Sequence, residues 1–266
     1  MIKLENYEVL GWEHAIRGMR NPMNSWGKSD SDYRPILCSR CDTCLAYRLE
    51  NWEDCNSCEV EIQTSAHTGF MVGPNDHALM MKLRKAGPDH RKFMRMITVY
   101  VDITAPLYWW KEFDTYKVGT VANSCSTIHK IHAKEFTLED FSCEKLIDGI
   151  VCAKNPKGID EKSKVATNPL NVMRGVIDSL NCLRLAYLEH KDGCDGIYAK
   201  ELWYNMIQLL PSSYNQKRTV MLNYEVLANI YKSRKNHKLD EWRELCKWIE
   251  ELPYSELITG RMEEEG

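Results

Sequence analysis

Five cysteines between Cys38 and Cys58 are spaced for metal chemistry: Cys38-x2-Cys41-x2-Cys44, then Cys55-x2-Cys58. Each CxxC turn can aim two thiolates at one ion, and two such turns complete a tetrahedron around Zn2+. Cys38, Cys41, Cys55 and Cys58 form the expected structural zinc site, with Cys44 as an alternative ligand. An iron–sulfur cluster would use the same thiolates, and free or disulfide-paired thiols are the bland alternative. Four thiolates fill the shell, so any catalysis must lie elsewhere. The other groups able to do chemistry are the imidazole of His90, Cys125 with Ser126, the amides of Asn223 and Asn229, and Arg234. Two amides can bond the edges of a planar heterocycle, and a guanidinium can fork onto a phosphate or a carbonyl. The ordinary structural roles compete at each position. His90 beside Asp89 suits a capping turn, Tyr108-Trp109-Trp110 suits core, and Lys111, Glu112 and Lys117 suit an exposed face.

These groups need elements to hold them. Tyr7 to Trp12 reads as a short strand and Arg20 to Tyr33 as a loop. Asn75 and Asp76 after Pro74 cap an expected helix to about Ala86, and Asp89 caps a second through Met96. Thr98 to Thr104 alternates and is β-branched, the mark of a strand. Leu107, Trp110 and Phe113 then share a helical face, Gly119 to Ser126 is a loop or irregular strand, and Leu138 to Leu146 is a short helix. Asn155 to Lys164 is a surface loop by its Pro, Gly and charge. Helices are expected from Asn168-Pro169 to His190, Ile197 to Leu209, Asn215 to Ser233 and Leu239 to Leu252, with a frayed RMEEEG tail. On a single helix Asn223 and Arg234 point within about 20° of each other, with Asn229 turned away by about 120°. A few strands with long helices make an α+β fold.

The chain has 266 residues, 44% hydrophobic and 27% charged, as soluble globular proteins have. A formal charge of −3 argues against a broad nucleic-acid or anionic-membrane surface, and no apolar run approaches the ~20 residues of a membrane span. Charges fill the N-terminal stretch where an export signal would be apolar, so a cytoplasmic location is expected. There the six scattered cysteines (Cys125, Cys143, Cys152, Cys182, Cys194 and Cys246) are expected to be mostly buried, reduced thiols.

The order of these features resembles the flavin-dependent thymidylate synthases. Their pattern is a helix with a His, a strand ending in a small residue and Pro, then a helix leading into Arg-His-Arg-x7-Ser. Here His90 and Ala105-Pro106 match, Glu112 falls on a Gln position, Thr115-Tyr116-Lys117 on Arg-His-Arg, and Cys125 on the Ser, with Ser126 beside it. A second block, LLPSSYNQKRTVMLNYEVLANIYKSR, matches with Asn223, Asn229 and Arg234. Ile207 and Glu225 stand where arginines are expected. The resemblance covers 75–130 and 196–252. It implies a single domain over 1–266, a small mixed sheet packed with long helices, with a Cys-rich zinc-knuckle insert at 34–72.

By the same resemblance the chain binds FAD between subunits of a homotetramer. NADPH reduces the flavin, and methylenetetrahydrofolate gives a one-carbon unit to a pyrimidine deoxynucleotide, dUMP to dTMP or a related reaction. His90, Thr115, Tyr116, Lys117, Asn223 and Asn229 would hold FAD. Glu112, Cys125, Ser126 and Arg234 would bind substrate, and Arg234 would polarise or anchor the pyrimidine. A minor variant has a Cys125 thiolate attacking C6 of the pyrimidine, aided by Lys117. Replacing arginines by Thr115, Ile207 and Glu225 removes charge-assisted bonds worth about 1.5–3 kcal/mol each. Arg91, Lys92, Arg95, Lys217 and Arg218 are candidates to replace the charge, and Glu225 would repel a phosphate. The competing reading is a non-catalytic nucleotide-binding or scaffold homologue that keeps the fold and the zinc.

Overall fold

The computed structural model describes residues 2–35, 68–154, 164–193 and 196–261. The cysteines Cys38, Cys41, Cys44, Cys55 and Cys58, hence the expected zinc site, lie outside the described residues, as do Cys194 and 262–266. Among the described residues no group of three or more His, Cys, Asp or Glu could hold a metal, and no helix is long and apolar enough to cross a membrane.

In chain order the elements are β1 (Lys3–Leu10), α1 (Trp12–Arg20), β2 (Asp32–Pro35), β3 (Thr68–Met71), α2 (Pro74–Lys85), β4 (Thr98–Pro106), α3 (Leu107–Phe113), β5 (Val121–Ser124) and α4 (Thr127–Lys130). Then follow β6 (Val151–Lys154), β7 (Lys164–Thr167), α5 (Pro169–His190), α6 (Gly196–Leu209), β8 (Asn215–Asn223), α7 (Tyr224–Arg234), α8 (Asp240–Glu250) and α9 (Glu256–Thr259). The fold class is α+β, as the sequence pattern predicts. The chain divides into two compact units: Met1–Glu8, Val99–Leu222 and Val226–Ser255 form the first, and Val9–Thr98, Asn223–Glu225 and Glu256–Gly266 the second.

The first unit carries a four-stranded sheet, ordered β1-β4-β8-β5. Strand β4 is central, and its period of two buries Val99, Val101, Ile103 and Ala105 completely or nearly so. β5 runs antiparallel to β8, with Ala122 opposite Val220 and Ser124 opposite Arg218. A separate apolar cluster joins Met173, Ile177 and Leu180 of α5 to Met206 of α6, with Ile131, Phe136 and Phe141. Ile207, on an expected arginine position, packs against this cluster. That position is half-buried and apolar.

The second unit is organised by a buried ion pair. Arg20 ends α1 and Asp76 lies in the first turn of α2; they are 4% and 0% exposed, with Nη2 and Oδ1 2.6 Å apart. Ser29 and Ser31 donate their hydroxyls, and Asp30 and Ser31 their backbone N–H, to the other carboxylate oxygen of Asp76. Asp76 is therefore no cap of its own helix. Asp30, 46 residues upstream of Asp76, caps α2 by accepting from the backbone N–H of Asn75 and Asp76 at 2.8 and 3.0 Å. That approach requires glycine at 73, where an added Cβ would lie 2.3 Å from the Asp30 carboxyl carbon.

Four element expectations are corrected. The helix expected from Asp89 to Met96 is a turn followed by a short 3-10 segment, Lys92–Arg95. Leu138 to Leu146 forms only a 3-10 turn, Leu138–Asp140. The strand expected at Tyr7 to Trp12 is β1, and Trp12 opens α1 instead. Most consequential, Asn215 to Ser233 is not one helix. Its first part is β8, where Val220 and Leu222 are buried in alternation and β-branched Thr219 and Val220 favour extension. Asn223 ends that strand, so the angular relation computed for one helix does not hold. The scattered cysteines are corrected too: among the described ones Cys125, Cys152 and Cys182 are exposed, Cys143 is half-buried and Cys246 is buried.

Candidate functional site

Residues from the two matched sequence blocks meet within the first unit. Helix α3 follows Pro106, whose extended conformation turns the chain out of β4. Its backbone start is fixed by the loop before β8: Leu107 N–H donates to Tyr214 O at 3.0 Å and Tyr108 N–H to Ser212 O at 2.9 Å. Trp109, Trp110 and Phe113 are buried; the rings of Trp109 and Phe113 pack with Trp242 of α8, and Trp110 packs on both of them. Trp109 and Trp110 are core and hold the end of α3 in place, whereas Tyr108 is half-buried and donates its hydroxyl to Glu241.

That leaves Glu112 and Tyr116 to reach Arg234 at the end of α7. Arg234 Nη1 donates to Glu112 Oε2 at 2.6 Å, and its Nε donates to the Tyr116 hydroxyl at 3.0 Å. Trp242 Nε1 donates to the same Oε2 at 3.0 Å, and His237 Nε2 lies 3.6 Å from it. The guanidinium carbon sits 4.5 Å from the Trp242 ring centroid, a cation–π contact. Arg234 is thus held on two sides. Its side chain is 19% exposed and that of Glu112 36%, so the pair is reachable from solvent. Trp242 and His237 escaped the sequence reading. Their spacing, three and eight residues beyond Arg234, carries no motif, and only α8 folding back brings the indole to Glu112.

Cys125 and Ser126 stand elsewhere in the same unit, at a cleft of about 290 Å3. The turn after β5 carries them, tied to β8 by Cys125 N–H donating to Lys217 O at 3.0 Å. Lys3, Lys134 and Lys217 line this cleft together with Glu139 and Asp140. Ser126 Oγ accepts from His129 N–H at 3.1 Å and caps the short α4.

The remaining expected residues divide between the units. Thr115, Lys117 and Asn229 are exposed in the first unit, and Thr115 Oγ1 donates to Glu112 O at 2.7 Å. In the second unit His90 is exposed, and its backbone N–H closes a turn onto Gly87 O at 3.1 Å. Asn223 is half-buried there. His90 thus sits in a turn, and no side chain caps the 3-10 segment that follows, whose N-cap position is Arg91.

The cations considered as replacements for missing arginines are mostly committed. Arg91 and Arg95 both donate to Glu225, which is buried in the second unit. Burial alone would raise the Glu225 pKa, but the Arg95 and Arg91 contacts outweigh it and hold the carboxyl below its usual range. In the first unit Arg218 pairs with Asp114 at 2.7 Å and lies 4.1 Å over the Trp110 ring, and Lys217 pairs with Asp102 at 3.2 Å. Lys92 is exposed.

No protein-family model and no curated protein matches this sequence. Solved structures do match. The flavin-dependent thymidylate synthase ThyX from Helicobacter pylori, complexed with FAD and dUMP, is similar over 97% of this chain and 98% of its own, with a TM-score of 0.54 and 13% identity. The UMP/dUMP methylase PolB from Streptomyces cacaoi, bound with 5-Br dUMP, is similar over 98% and 95%, with a TM-score of 0.51 and 11% identity. The chain has the fold of the flavin-dependent thymidylate synthases, as the order of its sequence features implied.

Proposed function

We propose that this chain is a divergent FAD-dependent enzyme of the thymidylate synthase type, transferring a one-carbon unit to a pyrimidine deoxynucleotide. The observation that carries this reading is the meeting of Glu112 and Tyr116 with Arg234, residues from the two separate blocks that resemble the family. The shared fold supports it over nearly the whole chain. Arg234, steadied by Tyr116 and Trp242, anchors or polarises the pyrimidine, and Glu112 lines the same position. Cys125 and Ser126 contact the nucleotide phosphate, with Lys3 of their cleft supplying positive charge, since Lys134 and Lys217 pair with Asp140 and Asp102.

The available donors suit a flavin dinucleotide by type. In the first unit a hydroxyl at Thr115, a cation at Lys117 and an amide at Asn229 reach solvent, as does the imidazole of His90 in the second. With Tyr116 and Asn223 these would hold FAD, which supplies the redox chemistry when bound. NADPH and methylenetetrahydrofolate would be co-substrates, in a homo-oligomer. The chain's own groups bind and orient; the reading requires no protein nucleophile, and the exposed Cys125 thiol is not assigned one.

One observation favours the second reading, a non-catalytic nucleotide-binding or scaffold homologue. Glu225 engages both Arg91 and Arg95, which the enzyme reading would want free for phosphate. The flavin content of purified protein separates the two. A flavin absorption band, or its recovery on adding FAD, supports the enzyme, and complementation of a thymidine-requiring strain then identifies the reaction. Colourless protein that ignores FAD and pyrimidine deoxynucleotides leaves the scaffold.

A further inference from the structure

We propose that Glu112 and Arg234 form a hydrogen-bonding edge that selects an amino-bearing pyrimidine of the cytosine type over uracil; this rests on the pyrimidine-nucleotide reading above. Every contact to the Glu112 carboxylate falls on one oxygen. Oε2 receives Arg234 Nη1 and Trp242 Nε1 and lies nearest His237. Oε1 takes no partner among the described residues. Arg234 is used in the same one-sided way, through Nε to Tyr116 and Nη1 to Glu112, while Nη2 takes no partner among the described residues. Bonds that fix Oε2 therefore leave Oε1 to a ligand, and the pair offers one guanidinium donor and one oxygen that only accepts.

The two pyrimidines answer that edge differently. Cytosine presents O2, N3 and the 4-amino group in order: acceptor, acceptor, donor. With N3 toward Arg234 Nη2 and the amino group on Glu112 Oε1, each contact pairs a donor with an acceptor. Uracil presents carbonyl, N3–H, carbonyl. Its N–H can reach Oε1 and one carbonyl can reach the guanidinium, but the other carbonyl is left facing the carboxylate. A glutamine here, as the family resemblance leads one to expect, has an NH2 to give that carbonyl; a glutamate does not. A site built around specific hydrogen bonds rejects the ligand that leaves its groups unpaired.

The test measures binding of deoxycytidylate and deoxyuridylate to the full chain, with FAD present, by titration calorimetry, in wild type and Glu112→Gln. Wild type is expected to bind deoxycytidylate about tenfold or more tighter, and the substitution to move the ratio toward deoxyuridylate by a similar factor. Wild-type preference for deoxyuridylate, or a ratio unmoved by the substitution, overturns the selectivity while leaving the nucleotide reading in place. Binding of neither nucleotide overturns that reading and this inference with it. Should Glu112→Gln fail to fold, the wild-type ratio decides alone.

Discussion

Replacing Asp76 by alanine should unfold the second unit's organising network, and the cost can be worked from its contacts. Asp76 is fully buried and its partner Arg20 is 4% exposed, so the substitution strands a guanidinium without a counter-charge. Arg20 keeps its bonds to Ser25 O at 3.3 Å and Lys28 O at 3.0 Å, which soften but do not replace the loss. Four donors to Oδ2, from Ser29, Ser31 and the Asp30 and Ser31 backbone, also lose their acceptor. Breaking a buried pair from one side typically costs about 3–5 kcal/mol, against a total of about 5–15 kcal/mol for a typical protein. Asp76→Asn keeps the shape but loses the charge and turns one acceptor into a donor, so about 1.5–3 kcal/mol is expected.

The pH dependence has a defined sign. Burial alone would raise the Asp76 pKa, but bonds from Ser29, Ser31 and Arg20 outweigh it and hold the group below its ordinary value. A depressed carboxylate contributes fully above its unfolded pKa of about 3.9, and the contribution fades as pH falls through the lower folded value. Urea unfolding between acid and neutral pH, with hydrogen exchange at α2 amides, reads both effects. The reasoning is refuted if Asp76→Ala costs less than about 0.5 kcal/mol, the scale of an ordinary surface change, or if Asp76→Asn leaves the acid dependence unchanged.

Three further outcomes are expected. Glu225→Gln should destabilise the second unit by only about 1–2 kcal/mol, because the Arg95 side chain is 56% exposed and screened; its contribution, like that of Asp76, should be full above the usual glutamate value of about 4.5 and be lost as pH falls through the lower folded value. The same variant should bind inorganic phosphate more tightly than wild type, which equilibrium titration checks. Cys246 is buried and its thiol is pushed up to about 11 by burial and by Glu250, so iodoacetamide at pH 8 should label exposed Cys125, Cys152 and Cys182 long before it. Peptide mass mapping over time gives the order; early labelling of Cys246 contradicts its burial.

Much of the fold was legible because the local code was unopposed. Pro74 to Lys85, Thr98 to Pro106, Pro169 to His190 and Asp240 to Glu250 carry caps, breakers and periodicities that agree with one another. The failures fall where two periods compete. Residues 215–233 contain a strand with period two and a helix with period 3.6 in one unbroken stretch, and no Pro or Gly marks the junction at Asn223. Asp76 looked like a cap because Asp near a helix start usually is one; a distant Asp30 had already taken that role.

The sequence by itself determined the chemical inventory: an acid at 112 where an amide was expected, an arginine at 234, and arginines absent at 115 and 207. Side-chain types are local facts. The tertiary structure alone decided how those charges are spent, with Arg234 on Glu112 and Tyr116, and Arg91 and Arg95 on Glu225. Each pairing closes over more than a hundred residues of chain, and an ion pair depends on separation in space, which spacing in sequence does not encode.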